Sequence, residues 1–424
     1  MKRLASATLT LLLLACTDYG VPVVNEPGIK VTPIDATCTE AWLKVTLAAA
    51  TGSQAIGLKR DGHTVLRVRL SALDTVLLDD GLLPRRTYTY TAERLRDSTV
   101  VETSPAVRMT TLDTTSHEIT WQVDTTMGVS GMFFDVAIIN DTLAYAVGEM
   151  YLLDSTGQVD PTFYNLAVWN GSRWRSQRLY YQGGIATIRS VFAFSAADVW
   201  LDPWFRWDGQ DFFEVPIDPI FYGQRVNKIW GRSSGSAYAV GDNGFIAQYA
   251  PVGWQPIESG TRVTLNDVWG GSNRLVGDNV VLVAAGNVFT DDGTWLLRIA
   301  ASGTVDTIPW FDPIQVRQSV WFDSHSRVYT CGSGVYTYDG RGWQEVNGLP
   351  AFYANMIRGN GENDVFVAGD FGLVAHFNGV TWRAYPGIPS GADFNSLAVR
   401  NNLILAVGWS GSGAIVVKGT RTPH

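Results

Sequence analysis

The residues able to do chemistry are few, and their spacing argues for binding more than for catalysis. The five histidines, His63, His117, His325, His376 and His424, show no metal-ligand spacing, and no nucleophile-elbow pattern is present. No paired acid can be assigned, so no catalytic residue, metal or cofactor is expected. Aspartates Asp242 and Asp370 precede Gly-containing turns, where they read as turn chemistry and not as a calcium site. What does recur is a column of amides, Asn227, Asn266, Gln318, Asn355 and Asn395, at one position of a repeated strand, with Phe134 and Arg189 at two further copies. Aromatic pairs also recur in the segments joining the repeats: Tyr180-Tyr181, Phe221-Tyr222, Trp310-Phe311 and Phe352-Tyr353. Amides that hydrogen-bond beside rings that stack suit a sugar chain or an extended peptide. The competing expectation is that the asparagines cap free backbone groups and the rings seal neighbouring repeats.

The elements that would position these residues are strands. A short apolar strand is centred at Val136, Val191, Ile229, Val268, Val320, Ile357 and Leu397, a period of roughly 40 residues once insertions in two copies are set aside. A second strand follows, as in Ala237-Tyr238-Ala239-Val240-Gly241, then a turn such as Asp242-Asn243-Gly244 or Asp370-Phe371-Gly372. Hairpins such as Trp169-Asn-Gly-Ser-Arg-Trp174 and Phe377-Asn-Gly-Val-Thr-Trp382 close each unit, and Asn-Gly is a pair that tight turns require. The aromatic after the turn is expected to pack between adjacent units. Four strands per unit make a propeller blade, so residues 117–424 read as a seven-bladed β-propeller. The last unit lacks its fourth strand, and Ile119-Thr120-Trp121-Gln122-Val123-Asp124 supplies one, closing the ring. The repeat is similar to propellers of bacterial surface proteins and, more loosely, of photosystem assembly factors. That resemblance implies a scaffold that binds, without naming a ligand.

Ahead of the repeats the chain reads as a leader, a tether and a second all-β module. Lys2 and Arg3 precede an apolar run too short to span a bilayer. The run ends in Leu13-Leu14-Ala15-Cys16, which resembles the lipobox of bacterial lipoproteins. The resemblance implies removal of residues 1–15, acylation of Cys16 and membrane attachment, with Thr17 in the sorting position pointing to the outer membrane. Residues 16–27 lack periodicity and read as a tether. Residues 28–113 resemble a fibronectin type III β-sandwich. Trp42 would be its core tryptophan, Leu82-Leu83-Pro84 with Tyr88 and Tyr90 its tyrosine corner, and Ser104 to Leu112 its closing strand. Such a module serves best as a spacer.

Composition limits the partners. The net charge of −8 becomes −10 without Lys2 and Arg3, which repels phosphate backbones and argues against nucleic acid. Cys38 and Cys331 fall in different modules and read as single buried thiols. The expectation from sequence is a monomeric, non-catalytic, lipid-anchored envelope protein that binds glycan or protein. A polysaccharide hydrolase or lyase and an envelope assembly factor are the alternatives.

Overall fold

The computed structural model describes residues 28–48, 52–125, 127–286, 295–308, 317–323, 327–411 and 413–421. The leader, the tether and Cys16 lie outside the described residues. Among the described residues every regular element is a strand apart from three single turns of 3₁₀ helix. Contacts divide the chain into two compact units, one of residues 28–33, 43–77 and 88–108, the other of the remaining described residues.

The N-terminal region, residues 28–113, holds two sheets. One orders Ile29–Ala36, Ala41–Leu47 and Asp74–Asp79; the other orders His63–Leu70, Gln54–Arg60, Thr87–Arg96 and Thr99–Thr103. Val107–Thr110 also pairs with Thr87–Arg96. Trp42, Tyr88 and Tyr90 are buried, as alternating strands with one apolar face require. The closing strand expected over Ser104 to Leu112 is shorter, Val107–Thr110, and is separated from Thr99–Thr103 by a break. Ser104 is the reason: its buried Oγ accepts from Ala92 N at 2.9 Å and donates to Pro105 O at 3.0 Å, which interrupts the ladder ahead of a proline that cannot donate.

The second unit is built on seven four-stranded antiparallel sheets. Their innermost strands are Ser130–Asn140, Val191–Ser195, Val226–Ser233, Leu265–Asn273, Arg317–Trp321, Ala354–Gly361 and Ala392–Arg400. Each packs against the next, and the last packs against the first, so the sheets form a ring. Second strands such as Ser236–Gly241 and Asp364–Gly369 are almost wholly buried, because each sheet is covered on both faces. Between the third and fourth sheets, for example, Trp230, Val240, Ile246, Leu265, Val283 and Leu297 form one apolar cluster.

The outer hairpins follow from their turn residues. Asn170 and Asn378 each accept two backbone N–H groups with Oδ1, while Gly171 and Gly379 take φ of 90° and 96°. The aromatics flanking each turn meet across their own hairpin. Trp169–Trp174, Tyr338–Trp343 and Phe377–Trp382 have centroids 5.7, 5.2 and 5.3 Å apart. The pair sits directly opposite in the register, and Trp174, Trp343 and Trp382 also pack on the apolar clusters between adjacent sheets, as expected.

Ile119–Asp124 pairs with Gly413–Arg421 and completes the last sheet. Trp121 lies opposite Gly419, where a Cβ would stand 2.6 Å from the indole ring. The residues leading into this strand are held on the sixth sheet by a histidine pair. His117 Nδ1 meets His376 Nδ1 at 3.0 Å, His376 Nε2 meets Asp364 Oδ1 at 3.0 Å, and Asp364 also pairs with Arg421. Burial, His376 and Arg383 push His117 down to about 4, against Glu118; burial also lowers His376, with Arg421 adding to it and Asp364 opposing. Between the ordinary histidine value of 6.5 and about 4, the unfolded chain therefore binds protons that the native chain does not. The melting temperature is expected to hold above pH 7 and to fall as the pH drops through that window. Circular-dichroism melts check it, and His117→Gln should flatten the decline.

Candidate ligand-binding mouth

At one end of the ring the seven equivalent positions converge. Phe134, Arg189, Asn227, Asn266, Gln318, Asn355 and Asn395 all line one cavity of about 750 Å³. They stand near the starts of the innermost strands, where the backbone leaves the ladder and a side chain can reach the neighbouring sheet.

The asparagines use one end of each amide for that reach. Asn227 Nδ2 donates to Leu265 O at 3.0 Å, Asn266 to Arg317 O at 3.1 Å, Asn355 to Phe394 O at 3.0 Å and Asn395 to Phe133 O at 2.7 Å. Each acceptor is the carbonyl just before the equivalent position of the next sheet, so the amides clasp successive blades. The nitrogen is committed, and Oδ1 is the group such an asparagine can still offer a ligand. Gln318 breaks the pattern: its Oε1 accepts from Tyr353 Oη at 3.3 Å. Replacing Asn355 with alanine removes its bonds to Phe394 O and to Asp370 Oδ1 at once. A loss of about 1–2 kcal/mol is expected, read from a urea melt.

One residue further along each strand lies a second, buried tier that sequence inspection overlooks. It comprises Asp135, Ser190, Lys228, Asp267, Ser319, Met356 and Ser396. Asp135 Oδ2 accepts from Val191 N, Ser190 Oγ from Ile229 N, Asp267 Oδ2 from Val320 N and Ser319 Oγ from Ile357 N, at 2.9 to 3.2 Å. Two ion pairs cross this tier. Lys228 Nζ lies 2.5 Å from Asp135, and Arg358 grips Asp267 with two nitrogens at 2.7 and 2.9 Å. Burial works to raise Asp267, but the charge and hydrogen bonds of Arg358, with Lys228 and Ser319, hold it below the usual carboxylate range. The tier plugs the axis and gives the cavity a charged floor. Its sequence signal is a polar residue immediately after the amide column, inside strands that are otherwise apolar.

The walls carry opposite charges. Arg189, from the second sheet, stacks over Phe134 at 4.5 Å, and Arg225 enters the third sheet beside it. Burial and the Arg225 charge lower Arg189. Its backbone is fixed by Asp202, whose buried carboxylate accepts from Arg189 N and Ser190 N at 2.9 Å. Burial pushes Asp202 up to about 7 against those two bonds. Across the ring, Asp370 and Asp393 line the sixth and seventh sheets together with Tyr353 and Trp409. Burial and Asp393 raise Asp370, with the Asn355 hydrogen bond opposing. Phe371 is 60% exposed at a φ of 56°, and its ring lies 5.3 Å from that of Phe352.

The aromatic pairs expected at this face separate into different fates. Tyr353 lines the cavity and Phe352 stands half-open beside Phe371. Phe221 is a correction: it is 4% exposed and packs edge-on against Trp254, 5.1 Å away, as part of the core. Its 3₁₀ turn, Pro219–Phe221, points the ring inward and leaves Tyr222 exposed. Tyr181 packs on Phe205 and its hydroxyl accepts from Ile217 N. Tyr180 is exposed, but neither tyrosine lines the cavity, and nor does Tyr222. Trp310 and Phe311 lie outside the described residues.

No protein-family model matches the chain, and no curated protein matches it. Among solved structures, YCF48 bound to D1 peptide superposes with a TM-score of 0.51 at 15% identity, covering 71% of this chain and 97% of that one. A streptogramin B lyase aligns at 0.49 and 11% identity, over 72% and 98% of the two chains. Sqt1 of Saccharomyces cerevisiae aligns at 0.43 and 13%, over 70% and 97%. The fold is a β-propeller. Identities this low speak to the fold alone, so the function must be argued from the mouth itself.

Proposed function

We propose that this chain is a non-catalytic, lipid-anchored protein of the bacterial cell envelope, in which a seven-bladed propeller captures a peptide or glycan at its mouth. In this reading Cys16 carries the lipid, residues 28–113 form a fibronectin type III-like spacer, and Ile119–Asp124 closes the seventh blade. The observation that carries it is the cavity. It is concave, ringed by amide oxygens, opposed charges and half-open aromatic rings, and floored by a paired, buried tier. Its groups are those of recognition. Asp135 and Asp267, the acids of the buried tier, are each tied to a cation and to a backbone N–H group, which suits them to structure more than to proton transfer. A peptide is also what YCF48, a propeller at 15% identity, holds in its solved structure.

The test presents the full chain, in detergent, to glycan and peptide arrays. Capture is expected to weaken at least about tenfold when Trp409, a 41% exposed ring of the cavity wall, is alanine, with the melting temperature unchanged. Capture that survives removes the mouth from the function, and turnover of a captured probe would make the chain an enzyme. The anchor is tested separately: labelled palmitate should enter the wild-type chain in bacteria and not the Cys16→Ser variant.

A further inference from the structure

The mouth has two poles that do not neutralise one another. On one side stand Arg189 and Arg225; on the other, Asp370 and Asp393. The charge of Arg225 lowers Arg189, against Asp202, Glu149 and Asp242, whereas that of Asp393 raises Asp370. Of the four residues at the poles, Arg225 has an ionic partner, Asp242, at 3.8 Å and partly exposed, where such a pair contributes little. Arg189, Asp370 and Asp393 make no ion pair among the described residues. One oxygen of each acid is already used: Asp370 Oδ1 accepts from Asn355 Nδ2 at 2.8 Å and Asp393 Oδ1 from Phe371 N at 2.9 Å. Trp409 lies opposite Asp393 in the register and Phe371 follows Asp370; their rings are 41% and 60% exposed, and Phe352, 40% exposed, stands beside Phe371. Carboxylates beside open aromatic faces form a site for an organic cation, which gains both an ion pair and ring contact.

Resting on the reading of the mouth as the capture site, we infer that its occupant is an extended peptide carrying charges of both signs. A lysine or arginine side chain goes to the Asp370–Asp393 wall, and a carboxylate goes to Arg189 and Arg225. A neutral sugar would leave the Asp370–Asp393 pole without a cation, and an anionic one would face it. A polypeptide supplies both charges at a set spacing, and its backbone N–H groups are donors for the Oδ1 atoms of Asn227, Asn266 and Asn395. The peptide's direction across the ring is then fixed by the poles, which gives specificity.

The experiment is selection of random peptides displayed on phage against the full chain in detergent. Enrichment of sequences with a basic and an acidic residue at a constant separation is expected. Against the Asp370→Asn, Asp393→Asn double variant, which keeps both acceptor oxygens, the basic residue should lose its enrichment and the selected peptide should bind about tenfold more weakly. Against Arg189→Gln with Arg225→Gln, the acidic residue should be lost instead. Selection of uncharged sequences, charge preferences that ignore these substitutions, or no enrichment at all overturns the inference. If the selected peptides also ignore Trp409→Ala, the mouth is not the capture site and the underlying reading falls too. Melting temperatures within a degree or two of wild type confirm that each variant is folded.

Discussion

Replacing Arg358 with methionine is expected to lower the stability of the propeller by about 3–5 kcal/mol, because it leaves a buried carboxylate without its cation. Asp267 is wholly buried; after the substitution only Ser319 Oγ at 2.6 Å and Val320 N at 3.1 Å would still solvate it. Arg358 also donates to Ser319 Oγ and to two carbonyls, of Val320 and Ile357, and covers the Trp269 ring at 4.9 Å. Methionine keeps part of the ring contact and none of the bonds. A second substitution, Asp267→Leu, should restore most of the loss, since an apolar pair of similar volume is often as stable as a buried ion pair. The pH dependence should change sign between the two proteins. In the wild type Asp267 is held below its ordinary value, so its contribution is present above about pH 4 and lost as acid protonates it. In Arg358→Met burial acts without that opposition, the carboxyl takes a proton more readily, and the deficit should shrink as the pH falls. Urea melts at several pH values measure both effects, and a variant as stable as wild type would show that the tier does not hold the ring.

A comparable loss, about 3 kcal/mol, is expected of Gly369→Ala. Gly369 has an extended φ of −175°, so the conformation itself suits any residue. What excludes a side chain is proximity: a Cβ there would stand 2.0 Å from Tyr353 O and 2.8 Å from Ala354 Cα. Both are backbone atoms of the inner strand and cannot swing aside as a side chain would. The same approach recurs at Gly148, Gly241 and Gly408, where the nearest carbonyls are those of Met132, Arg225 and Asp393, at 2.1, 1.9 and 1.9 Å. Each lies where the inner strand has a register shift. These bulges release the backbone next to the mouth and let the amide column reach the neighbouring sheet. Gly369→Ala should therefore reduce ligand capture as well as stability, because it displaces Tyr353. Gly387→Ala, with nothing within 4 Å of the added carbon, is the matched control and should be nearly neutral. Thermal melts and capture measured on the same samples distinguish them.

The order of strands was legible in the sequence because it rests on local signals. Asn-Gly and Asp-Gly turns, apolar second strands and a period of roughly 40 residues each act within one blade, and Ile119–Asp124 announced itself by likeness to the fourth strands it replaces. The amide column was legible too, since residues at one repeat position must lie at one height in the ring. Its role was not. That Asn227, Asn266, Asn355 and Asn395 hold the next blade's carbonyl depends on the distance between sheets, which no single repeat encodes. The inward turn of Phe221 and the outward one of Phe371 belong to that same level: both follow aspartate in a turn, yet one ring fills the core and the other stands open. The pairs Asp135–Lys228 and Asp267–Arg358 join residues about 90 positions apart. Sequence could place these residues in their own strands. Only closure of the ring, which buries all seven inner strands against one axis, decided that their charges must meet, and that Arg189 and Asp370 must face each other across a cavity.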